Sequence, residues 1–91
     1  MFDTKVDTKD AARVFAVGKC LSESRGKLLH FPSEEKDKPG KAVWAGLVTE
    51  LTGATDYHKK EYTFVTCLGG QQFTTGLALQ EAMALVADGV K

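Results

Sequence analysis

Four side chains in this sequence belong to the chemistry of metal sites and nucleophiles: Cys20, His30, His58 and Cys67. Cys20 precedes His30 and His58 precedes Cys67, each pair separated by about the length of one hairpin, so the four could in principle close a tetrahedral zinc site. The spacing matches no established zinc finger, and no two of these ligands stand two to four residues apart as they do in a zinc knuckle. A cysteine becomes a nucleophile where a neighbouring base or positive charge lowers its pKa. Nothing local places either histidine beside either thiol. Ser22 and Ser24 lack the flanking glycines of a nucleophile elbow, and Ser33 sits in a charged segment. Gly69-Gly70 has neither the longer glycine pattern nor the following lysine of a phosphate-binding loop. The expectation is a chain with no catalytic residue, no metal and no cofactor, and hence not an enzyme; both cysteines read as reduced thiols that pack as small apolar groups.

The residues left for function are those suited to surface contact. Trp44, Tyr57, Lys59, Lys60 and Tyr62 are the candidates for a partner-binding surface. Trp44 stands among apolar residues, so its first expectation is the core; at the edge of an apolar stripe it would instead anchor a partner. Tyr57 and Tyr62 flank the lysine pair, and their amphipathic rings tolerate exposure better than Phe does. Lys36, Lys38 and Lys41, together with His58, Lys59 and Lys60, could form a basic edge beside strand aromatics able to stack bases. Glu34, Glu35 and Asp37 oppose the first of these groups, however, and Asp56 and Glu61 the second.

Composition sets the outer bounds. With 91 residues the chain reads as a single domain, 1–91, with one core. An apolar fraction of 43% and a charged fraction of 26% are those of a globular protein, which sets aside disordered, collagen-like and coiled-coil classes. Twelve basic and twelve acidic side chains cancel, which argues against a strong non-specific pull toward phosphate backbones or anionic membranes. The first residues lack the basic start and apolar stretch of a signal peptide, and no run is apolar enough to span a bilayer, so a cytoplasmic protein without membrane contact is expected.

The elements that must position these residues follow from periodicity and turn chemistry. Residues 32 to 41, with Ser33-Glu34-Glu35-Lys36-Asp37-Lys38-Pro39-Gly40, have almost nothing apolar to bury and read as a solvated loop. Val43, Trp44, Leu47, Val48 and Leu51 then recur at helical spacing ahead of Gly53 as a cap, which predicts a helix over 41–52. Tyr62-Thr63-Phe64-Val65-Thr66-Cys67 predicts a strand over 61–68. Gly69-Gly70 predicts a tight turn into a short return strand. Leu79, Ala82, Met83 and Val86 predict a second helix, with Thr74 or Thr75 at its start and Gly89 as the cap at its end. For the N-terminal third two readings compete. Asp7, Thr8 and Asp10 suit the first turn of a helix, whereas Val14, Phe15 and Val17 favour strand and Gly18 weakens a helix interior; a hairpin returning through Ser24-Arg25-Gly26 to Lys27–Phe31 is preferred. The resulting fold class is α+β, a four-stranded antiparallel sheet with two helices on one face in the order ββαββα, the alternative being an N-terminal helix in place of the first strand.

Such a sheet leaves its other face or an edge strand free. The function expected is therefore a small protein-binding module, an inhibitor, adaptor or subunit acting by surface contact, with another protein as partner and edge pairing as a route to a homodimer. Its size is that of many phage and mobile-element proteins that block host enzymes, an analogy of size alone. The alternative is a nucleic-acid-associated regulatory protein using the lysine-rich edge. A core this small leaves little room for an internal ligand cavity.

Overall fold

The computed structural model describes residues 8–46 and 49–90. Helix α1 (Thr8–Leu21) runs into a single 3-10 turn (Ser22–Ser24). Five strands follow, β1 (Leu28–Phe31), β2 (Lys41–Trp44), β3 (Glu50–Thr55), β4 (Glu61–Thr66) and β5 (Gln72–Thr75), and helix α2 (Leu79–Val90) closes the order. Each strand pairs antiparallel with the next in sequence, so the sheet is a meander ordered β1-β2-β3-β4-β5. The molecule is thus α+β with two helices and a five-stranded antiparallel sheet. The predicted four strands and ββαββα order give way to αβββββα.

The first correction falls in the N-terminal third, where the alternative reading is the one observed. Residues 8–21 form a helix because Val14, Val17, Gly18 and Leu21 fall on one stripe at helical spacing, and Val14, Gly18 and Leu21 are buried. Gly18 disfavours a helix in isolation but is required by this packing. A Cβ there would run into the backbone carbonyl oxygen of Val86, and one on Gly89 would meet the carbonyl oxygen of Phe15 and approach the Gly18 Cα to 3.0 Å. The two glycines mark where α1 and α2 cross with their backbones almost in contact, so Gly89 is a packing residue inside α2 rather than a cap.

The second correction falls on 41–52, where a helix was expected and two strands stand. Ala42 and Trp44 are buried while Val43 between them is not, which is strand alternation, and Gly46 turns the chain with φ +86°. Thr49 and Leu51 resume the buried face, and Gly53, expected as a helix cap, lies within β3 beside Pro39 and the start of α2. Leu47 and Val48, two of the five residues on which the helical spacing rested, lie outside the described residues.

From β4 onward the elements follow the sequence reading, except that Thr74 and Thr75, expected at the start of the second helix, are strand residues of β5 and α2 begins only at Leu79. β4 turns through Gly69 and Gly70, both at positive φ (89° and 88°), into β5. The Thr75 hydroxyl accepts the Leu77 amide at 2.9 Å, and the Thr63 hydroxyl donates to the Leu77 carbonyl at 2.8 Å, so two buried threonines clamp the crossing from β5 into α2. The core lies between the helices and one sheet face, with Val14 and Leu21 of α1 and Ala82 and Val86 of α2 against Ala42, Trp44, Leu51 and Val65. No described helix is long and apolar enough to cross a membrane.

Candidate interaction surfaces

The pairing register sorts every strand residue onto one of two faces. Leu51 faces Ala42 and Val65, and Val65 faces Phe73, all on the helix side. The alternate positions form the other face. One row runs Phe31, Lys41, Thr52, Phe64, Thr74, and the next Leu29, Val43, Glu50, Thr66, Gln72. On this face Leu29, Phe31 and Phe64 are 37%, 45% and 39% exposed. Tyr62 adds a ring edge-on to Phe64 at 5.3 Å between centroids. Polar groups lie among them: the Lys41 ammonium stands 4.0 Å from the Glu50 carboxylate, which also accepts the Thr52 hydroxyl at 2.8 Å.

The five predicted partner-binding residues do not form one surface. Trp44 is buried on the helix side, 4% exposed, and its indole N–H donates to the Ser24 hydroxyl at 2.7 Å. Ser24 in turn donates to the Leu21 carbonyl at the end of α1, so the indole ties sheet to helix. Tyr57, Lys59 and Lys60 sit together in the β3–β4 loop, where Tyr57 is 90% exposed and packs on His58 with centroids 3.9 Å apart. Tyr62 lies half-buried on the open face just beyond that loop. The loop is shaped by Asp56, whose carboxylate accepts the amides of His58 and Lys60 at 2.9 and 3.0 Å and allows Lys59 its positive φ of 62°. The Lys60 amide, followed by the His58 amide and the nearby positive charges, holds the Asp56 carboxyl below its ordinary value. Leu29, Phe31 and Phe64 were not singled out by sequence. The signal was available in β4, where apolar side chains occupy both parities of the strand although a single layer of helices covers only one.

The four side chains able to ligate metal do not converge. His30 lines a depression near the β1–β2 loop and the start of α2, and His58 stacks on Tyr57. Cys20 and Cys67 come to one place, a groove of about 340 Å³ on the flank between α1 and the β4–β5 connection with Phe73 of β5. Burial pushes the Cys67 thiol above its ordinary value. Among the described residues no three His, Cys, Asp or Glu side chains are placed to hold a metal ion. Arg13 stands in the wall of the groove with its guanidinium 4.0 Å above the centre of the Phe73 ring. Thr49, also in the wall, is 2% exposed, and its hydroxyl is the one buried side-chain polar atom among the described residues with no hydrogen-bond partner.

What these features define is a class by architecture alone, a two-layer α+β domain whose meander sheet has one face that no described helix covers. No protein-family model matches the chain, and neither curated proteins nor solved structures give a match.

Proposed function

We propose that this chain is a protein-binding module that acts by contact rather than by catalysis, with the uncovered sheet face as its docking surface. The observation that carries the reading is the exposure of Leu29, Phe31 and Phe64 on one face that no described helix covers. Leu29 and Phe31 on β1 and Phe64 with Tyr62 on β4 stand on either side of a polar strip through Lys41, Glu50 and Thr52, and exposed apolar side chains set among polar groups mark an interaction site. Aromatic rings flanking a lysine and a glutamate suit a protein partner, because aromatics make large contacts at low entropic cost while the polar groups set register. Inhibitor, adaptor and subunit are all forms this activity takes, and a second copy of the chain is among the partners such a face accepts.

The test compares the wild-type chain with the Phe31→Thr/Phe64→Thr double variant as baits in an extract of the native host. A partner retained by the wild type, lost by the variant, and confirmed by titration of the purified pair is the expected result; a partner held equally by both would remove the open face from the reading.

A second reading rests on the same rings. Phe31 on β1 and Tyr62 and Phe64 on β4 could stack unpaired bases along one strand of nucleic acid crossing the sheet, with Lys41 and the Lys59–Lys60 loop toward phosphates. It predicts salt-dependent binding of single-stranded oligonucleotides that is lost on Lys59→Glu/Lys60→Glu. The pairing of Lys41 with Glu50 and the zero net charge favour the protein partner.

A further inference from the structure

The groove flanking α1 belongs to the opposite side of the sheet from the docking face and carries a separate chemistry. We infer that it binds a small amphiphilic carboxylate, with a compact hydrocarbon body among Val17, Leu21, Leu68 and Phe73 and its carboxylate at Arg13.

Size is the first argument. A volume of about 340 Å³ lies near the lower end of the roughly 300–1,000 Å³ that small-molecule sites occupy, so the occupant is a small acid rather than a nucleotide. Charge is the second. Among the described residues Arg13 is the only charged one lining the groove, with the Asp10 carboxylate 3.9 Å away; the other described wall residues are aliphatic or aromatic side chains, a threonine and two thiols. A single guanidinium that already has one carboxylate nearby suits a singly charged anion with an apolar body, since a more highly charged phosphate would leave charge uncompensated against hydrocarbon.

Arg13 is placed for the task. Its guanidinium lies 4.0 Å over the centre of the Phe73 ring, and its ion pair with Asp10, at 3.9 Å, is longer than a hydrogen bond, so its N–H donors remain for a ligand carboxylate.

The experiment uses the 91-residue chain labelled with ¹⁵N, titrated with octanoate and separately with octan-1-ol, while the alkylation rate of Cys20 by iodoacetamide is followed in parallel. Octanoate is expected to shift the amides of Val17, Cys20 and Leu68 saturably, to protect Cys20, and to bind roughly tenfold or more tighter than the alcohol, the difference a charge-assisted contact gives. Arg13→Gln should abolish the preference for the acid and Arg13→Lys should keep part of it. Ala16→Phe, at an exposed helical position in the groove wall, should block both ligands without changing the melting temperature. Equal affinity for acid and alcohol, shifts centred on Phe31 and Phe64, indifference to Ala16→Phe, or no saturation below roughly 10 mM would each overturn the assignment.

Discussion

A methyl group at Gly18 shows how context reverses a local preference. In an exposed helix, alanine is favoured over glycine by about 0.5–1 kcal/mol. In α1 the same methyl would be driven against the Val86 carbonyl, and backbone cannot swing aside as a side chain does. Overpacking of this kind costs about 1–3 kcal/mol, so Gly18→Ala should lower the urea midpoint with an unchanged m-value. A variant as stable as the wild type would mean that the helices do not cross at Gly18 and Gly89. Residues were the scale at which the sequence misled most. Gly18 was weighed as a helix breaker and proved to be a helix contact, while Gly46, in the middle of the expected 41–52 helix, was the glycine that ended an element. Propensity alone cannot separate these roles, because the deciding neighbour is a backbone far away in sequence.

Among the elements, legibility followed how local the deciding chemistry was. β4, the Gly69-Gly70 turn, β5 and α2 were readable because each is specified within its own few residues: β-branched runs, two positive φ angles, an apolar stripe. Residues 41–52 were not, since Val43, Trp44 and Leu51 fit a period of 3.6 across what is really a turn, and a short apolar run satisfies either period until pairing partners decide. The β3–β4 loop lies between these cases and offers a pH test. Asp56 accepts two amides in the fold, and its carboxyl is held below the ordinary carboxylate value, first by the Lys60 amide. With a folded pKa below the unfolded one, its contribution is complete above the unfolded value of about 4 and disappears as pH falls through the lower folded value. Asp56→Ala should therefore melt below the wild type near neutral pH, and the gap should narrow toward pH 2. Asp56→Asn, which keeps an acceptor and loses the charge, should fall between them near neutrality. A gap that stayed constant with pH would remove the charged turn from the account.

For the molecule as a whole, the binding role depends on a division of labour between two faces of one sheet, and that division was only half visible in advance. A free sheet face followed from the presence of two one-sided helices, but the residues on it could not be named until the register was known, because a shift of one position exchanges the two faces. With the register given, folding and docking can be separated by mutation. Phe31 and Phe64 stand on the open face; Val65, one position from Phe64, is fully buried beneath the helices. Replacing both phenylalanines with threonine keeps strand propensity and removes apolar surface that the core does not use. The losses are the partial burial of two rings that are each more than half covered, about 1 kcal/mol apiece by area, and the edge-on contact of Phe64 with Tyr62, about 0.5–1.5 kcal/mol. For a domain of this size that lowers the melting temperature by roughly 10–20 °C and leaves a cooperative transition. Val65→Glu places an unpaired carboxylate in the core and should leave no folded state at room temperature. Circular dichroism melts of the two variants decide the matter. If the double threonine variant fails to fold, those rings hold the structure together and the open face is not a free docking surface; if Val65→Glu melts like the wild type, the register that defines both faces is wrong.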